Sequence, residues 1–243
     1  MSGASAPAPL IGAASACYRG AGRVAWHFAH AKLWGDPVYA AILSQGLLGG
    51  RQRIVDLGCG QGLLAAWLLS AHAVYASERQ RAWPRGWPPP PTLTSYTGIE
   101  INPREVARAQ QAFALDPGSA VQIVHGDIRD VDYPAADSVV ILDVLHYLDY
   151  SVQERVLERA RSTLAPRGLL LLRIGDAAGG VPFHFSRTVD KAVVLLRRRR
   201  WLPLRCRPLH DWQRLLVARG FRARTLPMRA RTFANVLLHA ELA

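Results

Sequence analysis

The stretch Asp56-Leu57-Gly58-Cys59-Gly60-Gln61-Gly62 decides the fold of this chain. It begins within residues 53–57, which predict a short buried strand, and ends within residues 61–70, whose leucines and Trp67 share the apolar side of a predicted helix. The three glycines permit a tight turn between strand and helix because they lack a Cβ. In a doubly wound sheet a ligand binds beside such a turn, where loop amides can face it.

A nicotinamide-dependent oxidoreductase would use a related loop with different glycine spacing. Its pattern, G-x-G-x-x-G, would need glycine at position 63, where this chain has Leu63. The chain has G-x-G-x-G instead, with Asp56 two residues before the first glycine. An acid at that place suits a cationic ligand better than a pyrophosphate. Taken alone, the glycines are equally compatible with a purely structural turn.

Strand-like and helix-like segments alternate along most of the chain. This order implies βαβ units, and the apolar strands imply a parallel sheet covered on both faces. Further strands are predicted at residues 96–101, 121–125, 138–142, 169–173, 221–226 and 232–240.

Six motifs in order resemble those of the class I S-adenosylmethionine-dependent methyltransferases. The resemblance covers about residues 50–173 and 209–240. It implies an α/β, Rossmann-like, doubly wound fold: a seven-stranded, mostly parallel sheet with an antiparallel last strand and helices on both faces. The motifs are Val55-Asp56-Leu57-Gly58-Cys59-Gly60, Gly98-Ile99-Glu100-Ile101-Asn102-Pro103, Gly126-Asp127-Ile128, Val139-Val140-Ile141-Leu142-Asp143-Val144-Leu145-His146, Leu164-Ala165-Pro166-Arg167-Gly168-Leu169, and Leu215-Leu216 with Gly220-Phe221.

The resemblance assigns S-adenosylmethionine as the cofactor and names its contacts. Glu100 ends the second strand, where a carboxylate can accept both ribose hydroxyls. Asp127 can accept the adenine amine, and Ile128 can pack against the ring. Asp56 and Asp143 flank the place expected for the amino-acid end. The full set of predicted cofactor-binding residues is Asp56, Gly58, Cys59, Gly60, Glu100, Ile101, Asp127, Ile128 and Asp143.

Glu100 departs from the usual spacing of the family. The acid normally follows the glycine loop by about twenty residues, and Glu78 stands at that distance, whereas Glu100 lies forty residues after Gly60. Glu100 is nevertheless preferred, because it belongs to the complete second motif with a helix led by Pro103. Glu78 has no such helix after it. The choice requires a long insertion before the second strand.

His146 is the predicted catalytic residue. It follows the fourth strand, beside the expected position of the transferred methyl group, and a neutral imidazole there could take a proton from an attacking phenol, hydroxyl or carboxylic acid. A structural histidine near Asp149 is the alternative. Tyr147 and Arg173, at the ends of the fourth and fifth strands, are predicted to contact the substrate. No metal site is predicted.

A narrower resemblance, to methyltransferases of bacterial aryl polyene pigment pathways, rests on the glycine loop, the Trp/Pro insertion and the segment Asp143-Val144-Leu145-His146-Tyr147-Leu148-Asp149-Tyr150. It would imply an aromatic or polyene acyl acceptor, perhaps bound to an acyl carrier protein. Two other functions compete: an RNA methyltransferase, suggested by the net charge of +12, and a non-catalytic cofactor-binding protein. The basic residues lack the interleaved aromatic platform of single-strand binders.

The cysteine content indicates the redox environment of the protein. Cys17, Cys59 and Cys206 form no CxxC pair and no even-numbered framework, so a reduced, cytoplasmic environment is predicted. No apolar run approaches membrane-spanning length. The positive charge attracts anionic partners, which include nucleic acid, membrane surfaces and acidic proteins.

The chain is predicted to comprise a flexible tail at residues 1–16 and a single domain at 17–243, with insertions at about 71–95 and 174–208. The first insertion, with Trp83, Trp87 and prolines at 88–91, is expected away from the cofactor as an interaction surface. The second leaves from the end of the fifth strand. Its arginines at 197–200 predict either a solvated helix end or contact with an acidic carrier protein or a membrane.

Overall fold

The computed structural model describes residues 6–77, 83–114, 118, 120–175, 204–228 and 235–243. The described strands lie in one seven-stranded sheet in the order β3-β2-β1-β4-β5-β7-β6. They are β1 (Arg53–Leu57), β2 (Ser95–Glu100), β3 (Val121–His125), β4 (Ala136–Leu142), β5 (Leu164–Gly175), β6 (Phe221–Pro227) and β7 (Asn235–Leu242).

The strand directions confirm the expected fold class. β1 pairs with β2, and β2 with β3, in parallel. The last strand, β7, runs antiparallel to both β5 and β6. The sheet is therefore the mixed, Rossmann-like α/β sheet predicted from the sequence.

Helices flank this sheet, and two of them begin where the sequence provides a cap. The Asp36 side chain accepts the Val38 amide hydrogen at the start of the third helix. Asn102 accepts the Arg104 amide hydrogen in the same way before the fifth. The α-helices are α1 (Ala8–Ala16), α2 (Arg23–Gly35), α3 (Pro37–Ser44), α4 (Leu63–Ala76), α5 (Pro103–Phe113), α6 (Tyr150–Thr163) and α7 (Leu209–Val217).

The chain divides into two compact units, residues 1–138 and 139–243, with the boundary inside β4. In the first unit, α1 packs on α2 and α4, and β1, β2 and β3 pair side by side. In the second unit, β5 pairs with β7, and β7 with β6. The single domain expected for residues 17–243 stays a prediction.

The prediction of a flexible tail at residues 1–16 is wrong for residues 8–16. These residues form α1, and Leu10, Ile11 and Ala14 are fully buried. The many small residues suggested disorder, yet small side chains allow α1 to lie close against α4. The burial of Leu10 and Ile11 then offsets the entropy lost on ordering the segment.

The described part of the first predicted insertion packs within the first unit. Trp83 is buried and meets Tyr75 of α4 edge to face at 5.6 Å and Trp87 at 5.8 Å. A Cβ on Gly46 would come within 2.9 Å of Pro88. Trp83 thus belongs to the unit's core rather than to an exposed contact surface. In the second insertion, residues 176–203, including the arginines at 197–200, lie outside the described residues.

Within the described part of the chain, none of the helices combines the length and hydropathy needed to cross a membrane.

Shortening Ile11 tests the role of α1. Ile11→Ala should lower the free energy of unfolding by about 2–5 kcal/mol, because it leaves a cavity among buried side chains. The neighbouring Gly12→Ala is the control. Gly12 is exposed, has no described atom near its missing Cβ, and should gain up to about 1 kcal/mol from better helix propensity. Urea unfolding followed by circular dichroism measures both. If neither variant changes the urea midpoint of unfolding, residues 8–16 form a flexible tail as the sequence predicted.

Candidate active site

The glycine loop between β1 and α4 has the backbone that the sequence requires. Gly58, Gly60 and Gly62 all have positive φ, of 78°, 57° and 78°. Residues with a side chain rarely adopt a positive φ, so glycine is favoured at each of these positions. Gly62 also has no room for a Cβ, which would lie 2.8 Å from the Phe113 ring. Gly60, in contrast, has no described atom within 4 Å of a built Cβ, so its open side leaves space for a ligand.

The loop amides are engaged within the protein, which corrects the expectation that they face the ligand. The amides of Gly58 and Cys59 donate to the Ile99 carbonyl of β2 at 2.8 and 3.2 Å. The Gly60 amide donates to Glu100 Oε2 at 3.0 Å. These three amides are therefore already occupied, and the Glu100 carboxylate is the group that remains available to a ligand.

Glu100 ends β2, as predicted. Its Oε1 accepts the Asn102 amide hydrogen at 2.8 Å, while its Oε2 accepts that of Gly60. A carboxylate oxygen has two acceptor positions, so each oxygen retains capacity for one hydroxyl. The side chain is half-buried, and Ile101 beside it is 40% exposed. Glu78, the alternative acid, lies outside the described residues.

Asp56 is buried at the end of β1, and the Tyr96 hydroxyl of β2 donates a hydrogen bond to it. Burial raises the pKa of Asp56 to about 7, and the nearby Glu100 charge adds to the rise, whereas the Tyr96 hydrogen bond opposes it. Asp56 therefore changes charge near neutral pH. A cation placed beside it would favour the ionised form.

Cys59 Sγ occupies the space beside Gly98 in β2. A Cβ on Gly98 would come within 2.7 Å of that sulfur, which explains the glycine in the second motif. Burial raises the pKa of the Cys59 thiol well above its ordinary value, so it stays protonated. The chain's three cysteines all lie among the described residues, and no disulfide joins them.

Asp127 and Ile128 follow β3, where an adenine contact is predicted. The Asp127 carboxylate accepts the Arg129 backbone amide at 2.9 Å and pairs with the Arg129 guanidinium at 2.5 Å. Adenine would have to share this carboxylate with Arg129. Ile128 is buried, and its carbonyl accepts the Tyr133 hydroxyl.

The N-terminal segment supports the glycine loop, which sequence reasoning missed. The buried Tyr18 hydroxyl donates to the Gln61 carbonyl at 2.9 Å. The Gln61 side-chain amide donates in turn to the Ala25 carbonyl at 3.0 Å. Gln61 Oε1 is buried without a partner among the described residues. The apolar residues at helical spacing in residues 18–32 give no signal for these contacts.

In the second unit, Asp143 and Arg173 form an ion pair. Arg173 Nε donates to Asp143 Oδ1 at 2.9 Å, and a second guanidinium nitrogen contacts Oδ2. Arg173 is 3% exposed, and Asp143 has an unusual positive φ of 59°. Both were predicted as ligand contacts, of cofactor and substrate respectively. Their charges largely neutralise each other, so any such contact uses the hydrogen-bonding edges of the pair rather than a net charge.

His146 lies in a 3-10 helix, Leu145–Tyr147, after β4. It is 9% exposed, and its Nε2 has no hydrogen-bond partner among the described residues. Burial lowers the pKa of His146, Asp143 opposes this, and Arg173 adds to it. The imidazole is therefore neutral at pH 7 and can accept a proton. The Tyr147 ring lies 4.1 Å away, centroid to centroid.

Among the described residues, no cluster of three or more His, Cys, Asp and Glu side chains is arranged to hold a metal ion.

Comparison with known proteins identifies the fold. Residues 55–170 match the model of a family described as a methyltransferase domain. The match covers just under half of the chain. The match includes the glycine loop, Glu100, Asp127 and His146, and it confirms the resemblance to class I methyltransferases. The narrower resemblance to aryl polyene enzymes stays a prediction.

One curated relative of the methyltransferase domain is a carboxy-S-adenosyl-L-methionine synthase of Chromohalobacter salexigens. It is 32% identical over 143 residues, covering 56% of this chain and 47% of that protein. An uncharacterized methyltransferase of Mycobacterium tuberculosis is 28% identical over 134 residues, covering 54% of this chain and 55% of the relative. The chain thus spans about half the length of the curated relatives it matches.

Among solved structures, magnesium protoporphyrin IX methyltransferase from Synechocystis PCC 6803, with bound SAH, aligns with a TM-score of 0.56 and 22% identity. The alignment covers 85% of this chain and 80% of that one. At this identity the likeness shows a shared fold.

The charge of Asp56 gives a pH-dependent stability. Its pKa is about 7 in the folded chain against an ordinary 3.8, so between these values the folded state binds a proton that the unfolded state has released. Stability therefore falls as pH rises from about 4 to about 7. Asp56→Asn removes this slope and should raise the unfolding free energy at pH 8 by up to about 4 kcal/mol, at about 1.4 kcal/mol per pKa unit.

Thermal melts of the ligand-free protein from pH 4 to pH 8 measure this effect. Asp132→Asn, at an exposed position, is the charge-matched control and should retain the slope of the wild type. Parallel pH profiles for Asp56→Asn and the wild type would show that Asp56 does not titrate in this range.

Proposed function

We propose that this chain is an S-adenosylmethionine-dependent methyltransferase that acts on a small-molecule acceptor. The observation that carries the proposal is the placement of Glu100, whose carboxylate is held by the Gly60 and Asn102 amides at the end of β2. Each oxygen keeps an acceptor position, which matches a pair of ribose hydroxyls. The buried carboxyl of Asp56 and the open side of Gly60 fit a cationic nucleoside better than a dinucleotide.

The cofactor contacts proposed for the first unit follow from these groups. Glu100 accepts the ribose hydroxyls, and Ile101 and Ile128 provide apolar surface for the adenine. Asp127 accepts the adenine amine while Arg129 holds its carboxylate in place. Asp56 favours the positive charge of the ligand. When bound, S-adenosylmethionine supplies an activated methyl group on a sulfonium.

His146 is proposed as the general base. Its neutral imidazole and unpartnered Nε2 allow it to take the proton of the acceptor's X–H group. With the cofactor bound, His146 would hold the proton that the acceptor gives up as it takes the methyl group. Tyr147 and the Asp143–Arg173 pair are proposed to orient the acceptor, since in-line positioning provides much of the acceleration in such transfers.

A small-molecule acceptor is favoured by the solved relatives. The Synechocystis enzyme is named for a porphyrin, and a second fold relative, an O-methyltransferase from neocarzinostatin biosynthesis, is described in complex with SAM and 2-hydroxy-5-methyl naphthoic acid. That structure aligns with a TM-score of 0.58 and 22% identity, over 89% of this chain and 56% of that one. An aromatic or polyene acyl group on a carrier protein is the finer proposal.

The compartment of the protein and two alternative functions are also proposed. A reducing, cytoplasmic setting agrees with three thiols outside any disulfide. RNA methylation is the second candidate, supported by the charge of +12. A cofactor-binding protein without turnover is the third, and it would bind the ligand but form no product.

Cofactor binding is tested by calorimetry with S-adenosylhomocysteine. The wild type should bind it and not NAD. Glu100→Gln should weaken binding about tenfold or more, because one ribose hydroxyl loses a charged acceptor. Glu241→Gln removes the same charge from an exposed position of β7 and should leave affinity unchanged. Binding of NAD in place of S-adenosylhomocysteine would refute the proposal.

The role of His146 is tested by His146→Ala. Turnover should fall about 10²–10⁴-fold, the usual contribution of a general base, while the affinity for S-adenosylhomocysteine stays within about twofold. The substrate panel should contain phenolic, carboxylic and carrier-bound acids together with RNA. Products are identified by mass, because one relative is named for making a carboxylated cofactor. Unchanged turnover would assign His146 to structure.

A further inference from the structure

The side chain of Gln153, in α6, is a polar group buried beside the His146 turn. It is 0% exposed. The two hydrogens of its Nε2 are shared among three carbonyls, those of Leu145 and Leu148, each at 3.0 Å, and that of Arg205 at 2.8 Å. Leu145 precedes His146 by one residue, and Leu148 follows it by two. One amide group thus fastens both ends of the turn that carries His146.

Residues 204–207 make further hydrogen bonds to the same turn. The Arg205 backbone amide donates to the His146 carbonyl at 2.8 Å. The Arg205 side chain pairs with Asp149 at 3.1 Å, just beyond the turn. The backbone of His146 is therefore fixed in two ways. The Arg205 amide bonds directly to the His146 carbonyl, and Gln153 bonds to the carbonyls of Leu145 and Leu148.

Arg207 locks the orientation of the Gln153 amide. Arg207 Nε donates to Gln153 Oε1 at 2.9 Å, so the Gln153 nitrogen must point toward the three carbonyls. Arg207 is itself held by Glu154 at 2.7 Å and by the carbonyl of Tyr150 at 3.1 Å. Its guanidinium also lies over the Tyr150 ring, at 4.5 Å from the centroid.

This arrangement is costly unless it is complete. Burying a primary amide is strongly unfavourable when its hydrogen bonds are unmet, and here both N–H groups and the oxygen are used. A leucine or methionine of similar size would fill the volume but remove this donor from the carbonyls of Leu145, Leu148 and Arg205. Among the described residues, the Leu145 carbonyl would retain only the Leu148 amide. Packing alone therefore does not account for a glutamine at this position. Two of its three carbonyl partners flank His146 in the chain, and the third belongs to Arg205, whose amide donates to the His146 carbonyl.

We propose that Gln153 is a positioning residue for His146, holding the turn so that the imidazole stays in its buried site with Nε2 directed to the acceptor. The inference rests on the proposed role of His146 as the base. Gln153 contacts neither cofactor nor acceptor and acts only through the turn. Its effect should be visible in the His146 ring whether or not a substrate is known.

The test uses histidine-labelled protein and NMR. His146→Ala identifies the His146 signal among those of the eight histidines. The wild-type His146 should titrate below the ordinary 6.5, since burial disfavours its charged form, with Asp143 and Arg173 as the opposing charges near it. In Gln153→Met the turn loosens and admits water, so the pKa of His146 should move back toward 6.5.

Gln110→Met is the matched control. Gln110 is exposed and makes a single long bond, of 3.4 Å, to the Ile123 carbonyl. This variant should leave the His146 titration unchanged. Once a substrate is available, Gln153→Met should lower kcat about tenfold or more and shift its pH profile with the His146 pKa, with little change in cofactor affinity.

A second variant covers the case in which Gln153→Met does not fold. Arg207→Gln removes the donor that orients the Gln153 amide but retains the amide itself, and it should move the His146 pKa in the same direction by less. A His146 titration identical to wild type in the folded variants would overturn the proposal and leave Gln153 a structural residue. Because NMR reads the ring directly, this outcome is separate from an absence of methyltransferase activity.

Discussion

The hydrogen bonds from the Gly60 and Asn102 amides to Glu100 are the contacts on which the candidate cofactor site depends. They join the loop after β1 to the end of β2, two strands that already pair in parallel. A carboxylate held by two amides is fixed in direction before any ligand arrives, so little ordering remains to be done on binding. The positive φ values of the loop glycines bring Gly60 to that position, and its amide completes the link.

Around this contact the first unit buries several polar groups. Asp56, Tyr96, Tyr18 and Gln61 are all less than 5% exposed, and each makes at least one hydrogen bond. Burial makes the ionised form of Asp56 unfavourable, and a cationic ligand beside it would offset that cost. The second unit follows a different principle, since its buried charge, Arg173, is neutralised by Asp143 within the chain. His146, the proposed base, is instead uncharged, because burial lowers its pKa.

The sequence determined much of this because several positions tolerate one chemistry only. Glycine at 58, 60 and 62 was required by backbone conformation, and Asn102 with Pro103 marked the start of α5, which placed Glu100 at the strand end despite the long insertion. Contacts between distant segments could not be predicted from the sequence. The short, weakly amphipathic α1 gives no helical pattern that identifies its partner, and Gln153 occupies an ordinary position in a charged helix. Their roles arise from tertiary neighbours alone.

The limit of the first unit at Ser138 has a consequence for how the chain acquires structure during translation. The described hydrogen bonds that shape the glycine loop join residues upstream of that point, the most distant pair being Tyr18 and Gln61. The ribosome needs on the order of ten seconds to add residues 139–243, at about 5–20 residues per second. Small domains fold within that time. The glycine loop and the Glu100 carboxylate therefore have time to assemble before β6 and β7 have been synthesised.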